Sequence, residues 1–284
     1  MSRVKTKLLL VGKRLPPDVI AVAHDVYPSC EAEMLDSLLT GVANRFPVVA
    51  RILVMCRLIP GGVVVALDNE AFSRLKRLKM PGLISLPPAS GTLSMASCHE
   101  HGDHKLTLIS AGPYCRPELC ARMAAGLAMG RTATAVEWVY LGRESDARGA
   151  LDALHARRLP PNFTCRVIDE GAGRWLDAGN KADWMLWLPE ASETMPYEAC
   201  EAMARGVPVV ATATAGGELL LDDSEAGLLM PVDLRREEFV RAMLPYLDIP
   251  VRYDAMREEA VGRSRSHFGA AAVYNDFFKN LDLL

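Results

Sequence analysis

No apolar run in this chain approaches the length of about eighteen residues that a membrane-crossing helix needs. The opening MSRVKTKLLLVGKRLPP holds an apolar patch too short for a signal peptide, and charges follow it at once. The cysteines number seven, an odd count without a regular framework, which fits reduced thiols in a cytoplasmic protein better than a disulfide scaffold. A basic excess is missing too. The formal net charge is −3, which argues against a general nucleic-acid binder, whose surface must neutralise phosphates. No G-x-G-x-x-G follows a first strand, so an ordinary dinucleotide-binding protein is disfavoured, and no convincing D-x-D, internal repeat or low-complexity tract stands out. What remains is ordinary: half the residues are hydrophobic and 24% are charged, with enough chain for one large or two modest domains.

The most informative stretch is 182–233, ADWMLWLPEASETMPYEACEAMARGVPVVATATAGGELLLDDSEAGLLMPVD. Residues 182–189 and 207–211 are short continuous apolar segments, the pattern of strands buried on both faces of a parallel sheet. Between them the pattern predicts a short helix, with Pro196 in its first turn, Gly206 just past its end and Pro208 after the stop. Glu193 precedes this helix and Glu201 lies about two turns inside it, so the two carboxylates and the helix N-terminus are expected to converge. The free N–H groups around Thr194, Met195, Pro196 and Tyr197 suit a phosphate oxygen, and a carboxylate beside them suits sugar or ribose hydroxyls. Together those preferences describe a nucleotide sugar. Gly216 and Gly217 are expected to form a second loop where backbone approaches a ligand closely.

The run ETMPYEACE resembles the E-x7-E signature of retaining GT-B glycosyltransferases of family 4. EAMARGVPVVAT, the Gly-Gly pair and GLLMPVD match that family's next blocks in order. The resemblance implies that Glu193 contacts the donor sugar and Glu201 the ribose. Without it, the same carboxylates would be read as ordinary complements to a helix dipole.

The flanking sequence alternates strand and helix. Residues 7–11, 19–23, 48–54 and 63–66 read as strands, 32–44 as a helix, and Asp68 or Asn69 as the cap of another helix, before LISLPP closes the first part. By resemblance this is the second half of a family 4 N-terminal domain, with about half of the usual domain missing. His24 is the equivalent of the family's acceptor-side His, although Ala21 and Ala23 occupy the places nearer the strand; an alternative register makes VIAVAHDVYP the first strand and loop. The basic run Ser73 to Lys79 is read as a solvated helix face, with contact to anionic lipid as the rival.

Residues 87–104 are rich in small and polar residues and read as a hinge. They hold Cys98, His99, His101, Asp103 and His104, with Cys115 and Cys120 shortly after, but the spacing matches no familiar zinc pattern. Residues 106–111 read as the first strand of the second domain. The family's next loop carries Gly-Arg and then Lys-Gly to neutralise the departing diphosphate. Here Gly112 stays, Pro113 stands in place of the Arg, and Arg116 is the nearby cation, either assisting the diphosphate or simply opening the helix at 117–129. Strands at 135–142 and 163–169 and helices at 145–157 and 171–182 continue the alternation, and the resemblance implies that backbone near 167–171 lies beside the base. Two amphipathic helices follow residue 233, and the resemblance implies that the last crosses back to brace the first domain.

The expected fold is α/β and GT-B-like, with two Rossmann-like parallel-sheet domains, the N-terminal one reduced. Its expected division is 1–98, a hinge at 99–104, and a nucleotide-sugar domain at 105–284. The resemblance implies a retaining transferase that moves a sugar from a nucleotide-diphosphate donor to an acceptor hydroxyl, saccharide or lipid-linked, without a metal. Glu193, His24 and Arg116 are the expected catalytic groups. Glu201, Thr194, Met195, Pro196, Tyr197, Gly216, Gly217 and Gly112 are expected to bind the donor. The rivals are a degenerate nucleotide-sugar-binding or partner subunit and a nucleotide-sugar epimerase or hydrolase. A cytoplasmic location, at the inner face of the membrane if the basic helix meets lipid, completes the expectation.

Overall fold

The structure is a computed structural model, and it describes residues 8–11, 63–80, 83–90, 105–156, 159–168, 182–190 and 194–280. The chain divides into two compact units, Met1–Ala89 with Phe268–Leu284, and Ser90–His267.

In the first unit, β1 (Leu8–Val11), β2 (Val63–Ala66) and β3 (Leu83–Ser85) form a parallel sheet in that order, with Leu9 opposite Val64 and Val65 opposite Ile84. Strand residues alternate between faces, and both faces of β2 are covered. Val64 and Ala66 pack with Val11 against Ala71, Leu75, Leu78 and Met80 of α1 (Asn69–Arg77) and its exit. Val65 and Leu67 pack with Leu10 and Leu86 against Tyr274 and Phe278 of α8 (Ala270–Asn280). Asp68 starts α1 as its sequence position predicts, its Oδ1 accepting the Ala71 N–H at 2.7 Å. The basic run is partly engaged. Arg74 pairs with Glu70 one turn earlier, and Arg74, Lys76 and Arg77 sit in the last turn, where cations complement the helix dipole.

The second unit is a six-stranded, all-parallel sheet in the order β6-β5-β4-β7-β8-β9. Its strands are β4 (Lys105–Ala111), β5 (Ala135–Leu141), β6 (Phe163–Ile168), β7 (Trp184–Trp187), β8 (Val209–Thr212) and β9 (Gly227–Met230). The central strands are buried along nearly their whole length, as their unbroken apolar runs require. The helices are α2 (Pro117–Gly130), α3 (Glu144–His155), α4 (Tyr197–Ala204), α5 (Ala215–Leu221), α6 (Arg236–Asp248) and α7 (Pro250–His267). Trp138, Trp184 and Trp187 are buried, and the Trp138 indole donates to Ser110 Oγ at 3.0 Å. Asn162 closes the end of α2 and the turn beyond it by donating to the carbonyls of Ala128, Arg131 and Thr134.

Three expectations need correction. The strand β9 was not expected: four residues with Leu229 43% exposed, at the sheet edge, leave no periodic signal. Gly216 and Gly217 do not form a loop but open α5, whose N-cap Thr214 accepts the Gly217 N–H at 3.3 Å. The single amphipathic helix expected after residue 250 is two, α7 and α8, interrupted at Phe268 and Gly269, and they belong to different units. The expected hinge at 99–104, the strands at 19–23 and 48–54 and the helices at 32–44 and 171–182 lie outside the described residues, apart from Ala182 at the last helix's end.

Candidate functional site

The strand order reverses direction between β4 and β7. In an open parallel sheet the loops leaving two such strands run to opposite sides, and the crevice between their carboxyl ends is where ligands bind. On one side Gly112 leaves β4 with a φ of 71°, its N–H donating to Leu141 O at 3.1 Å, and a 3-10 turn (Pro113–Cys115) leads to Arg116. On the other side Leu188, Pro189 and Glu190 leave β7, and Thr194, which is 5% exposed, lies just ahead of α4. The Thr212 hydroxyl donates to Pro189 O at 2.6 Å and ties this exit to the end of β8.

Helix α4 begins at Tyr197 with Pro196 as N-cap, because proline fixes its own φ and offers no N–H. The expected donor set therefore shifts. The N–H groups of the first turn are those of Tyr197, Glu198 and Ala199, and the intrahelical ladder begins with Cys200 N–H, which donates to Pro196 O at 2.9 Å. Glu201 stands about one turn inside the helix rather than two, half-buried. Glu193 and His24, expected as catalytic groups, lie outside the described residues, as do Cys98 to His104 and residues 169–171. Among the described residues no group of three or more His, Cys, Asp or Glu side chains is placed to hold a metal ion.

A residue the motif did not single out also faces this crevice. Glu198 Oε1 lies 3.8 Å from where a Cβ on Gly112 would stand, so the first turn of α4 abuts the exit of β4. Its signal in the sequence is the spacing E-A-C-E, which puts Glu198 and Glu201 on one helix face. Both carboxylates raise the ionisation point of the Cys200 thiol, after the larger effect of burial. Burial likewise pushes the Cys115 thiol well up, reinforced by Cys120 and Glu198, and pushes Cys120 up to about 12. Such thiols stay protonated near neutrality and are neither nucleophiles nor metal ligands there.

The glycines of α5 are packing residues. A Cβ on Gly216 would meet Thr194 O at 2.4 Å and the Trp187 ring at 2.7 Å, and one on Gly217 would meet Thr212 O at 2.0 Å. The Cα faces are thus filled by protein, and the open Gly-Gly loop of the sequence expectation gives way to a close fit of α5 against the segment before α4. Arg116 is also engaged. Its Nε donates to Leu188 O at 2.5 Å and its Nη1 to Val232 O at 3.0 Å, while burial lowers its ionisation point without removing its charge.

Residues 162–248, from the turn before β6 to the end of α6, match the family model described as Glycosyl transferases group 1. The D-inositol 3-phosphate glycosyltransferase of Corynebacterium aurimucosum is 30% identical over 137 residues, covering 48% of this chain and 32% of that protein. The chain thus spans about a third of that relative's length. Among solved structures, Anabaena HepE in complex with UDP and glucose aligns with a TM-score of 0.63 at 10% identity, over 98% of this chain and 100% of that one. Sucrose-phosphate synthase from Thermosynechococcus elongatus aligns with a TM-score of 0.58 at 16% identity, over 97% and 67% of the two chains. At such identities the likeness is one of fold, and the fold is α/β, parallel-sheet and GT-B-like. Over the segment that forms one wall of the crevice, the sequence itself is similar to the group 1 glycosyl transferases.

Proposed function

We propose that the protein binds a nucleotide-diphosphate sugar at the crevice between the exits of β4 and β7 and transfers the sugar, with retention, to an acceptor hydroxyl in polysaccharide or glycoconjugate synthesis. The observation that carries this reading is the coincidence of three features: the reversal of strand order, the start of α4, and a sequence match to group 1 glycosyl transferases over that segment. The HepE structures hold UDP, UDP-glucose, or UDP with glucose, which makes UDP the first nucleotide to try.

In this reading the N–H groups of Tyr197, Glu198 and Ala199 meet the diphosphate, Glu201 accepts ribose hydroxyls, and Glu193 positions the sugar. Catalysis comes from orientation and charge stabilisation, without a dedicated nucleophile or a metal. A second reading, binding without transfer, is favoured by three observations: Pro113 replaces a cation, Arg116 is engaged with backbone, and Glu198 places a negative charge in the turn an anion must approach.

Titration with UDP and a panel of nucleotide sugars, followed by assay of nucleotide release with candidate acceptors, tests both. The parent protein is expected to bind, with Glu201→Ala weakened about tenfold, the scale of a hydrogen bond to a charged group. No binding of any nucleotide or nucleotide sugar sinks both readings. Binding without release identifies the second, and a product of inverted configuration removes the retaining mechanism.

A further inference from the structure

One side chain crosses the point where the sheet changes direction. Arg116 sits in left-handed backbone, φ 49° and ψ 70°, a conformation that residues with a Cβ rarely adopt unless the surroundings hold it there. Its guanidinium supplies the hold. Nε meets Leu188 O beyond β7, and Nη1 meets Val232 O beyond β9. Those strands lie on either side of β8, about 10 Å apart at ordinary strand spacing. One guanidinium therefore joins three segments at the carboxyl edge of the sheet. Its Nη2 is buried with no hydrogen-bond partner among the described residues.

We propose that Arg116 is a positioning residue. It clips the loop after β4 to the segments after β7 and β9, and so sets where the lead into α4 begins and where the N–H groups of that first turn point. This inference rests on the reading of the crevice as a nucleotide-diphosphate site. It assigns the arginine a geometric task in place of the charge-neutralising one its sequence position implies. The chemistry separates the two tasks. Two carbonyls in fixed places need the planar fork of a guanidinium, whereas a lysine ammonium supplies the same charge as a compact point.

The test compares Arg116→Lys, Arg116→Ala and Arg116→Gly in the full chain, with UDP binding measured by calorimetry and amide hydrogen exchange followed over residues 188–199 without ligand. The glycine variant adopts the left-handed backbone freely, so it removes the side chain without adding strain and keeps the comparison valid should the alanine variant fold poorly. The clip predicts that lysine does not rescue: all three variants lose UDP affinity by about tenfold and exchange faster over 188–199. The proposal is overturned if the lysine variant keeps its UDP affinity within about twofold of the parent, or if exchange over 188–199 stays at the parent rate in the glycine variant. Should the parent fail to bind UDP, the reading of the site falls, and the exchange measurement still decides whether the clip exists.

Discussion

Alanine at Gly217 should destabilise the second unit, although the same change in an ordinary helix would stabilise it. Gly217 lies in the first turn of α5, where replacing glycine contributes up to about 1 kcal/mol of helix propensity. Against this, the new Cβ would stand 2.0 Å from the Thr212 carbonyl oxygen and 3.3 Å from a Leu229 methyl. The first contact is with strand backbone, which cannot swing aside as a side chain can, so α5 or β8 has to move by about 1 Å. Overpacking of this kind costs about 1–3 kcal/mol, leaving a net loss of up to about 3 kcal/mol. Gly216→Ala meets Thr194 O at 2.4 Å, just ahead of α4, so on the proposed reading of the crevice it should weaken UDP binding as well as folding. Gly262→Ala in α7 is the control. Nothing lies within 4 Å of its Cβ and the site is exposed, so it should stabilise by about 0.5–1 kcal/mol. Urea unfolding followed by tryptophan fluorescence reports this unit, since Trp138, Trp184 and Trp187 are buried in it. A Gly217→Ala variant as stable as Gly262→Ala would refute the packing argument.

Other outcomes follow from the same structure. Cys120 ionises only at about 12 when folded, against about 8.5 unfolded, so the folded chain binds the extra proton between those values. Stability should therefore fall as pH rises from about 9 toward 12, and Cys120→Ala should flatten that decline in pH-dependent urea midpoints; an unchanged slope would contradict it. Asp68→Ala removes the cap of α1 and should cost the first unit about 1 kcal/mol, visible as faster amide exchange along residues 69–77 and unchanged exchange in β4 to β9.

Much of this architecture is legible in the amino-acid order. Val63–Ala66 is a strand as its four apolar residues imply, Asp68 caps the helix it precedes, and α2 starts at Pro117 as expected. These signals are local: a buried run, a carboxylate before a helix, a proline at a first turn. What escaped is decided at longer range. Gly216 and Gly217 look like a loop because glycine is a poor helix former, yet the neighbouring carbonyls of Thr194 and Thr212 leave no room for any other residue. Arg116 looks like a free cation because Leu188 and Val232 are 72 and 116 residues away in sequence. Glu198 was overshadowed by the motif around it, and only its approach to Gly112 marks it.

Helix α8 carries a last consequence. Tyr274 and Phe278 fill the core of a unit whose strands begin at Leu8, whereas the other unit is one uninterrupted stretch from Ser90 to His267. During synthesis the later-starting unit has all its residues first, and the earlier one waits for Tyr274 and Phe278 until α8 has emerged. Nonsense mutations past residue 268 should accordingly injure the half of the molecule that was made first.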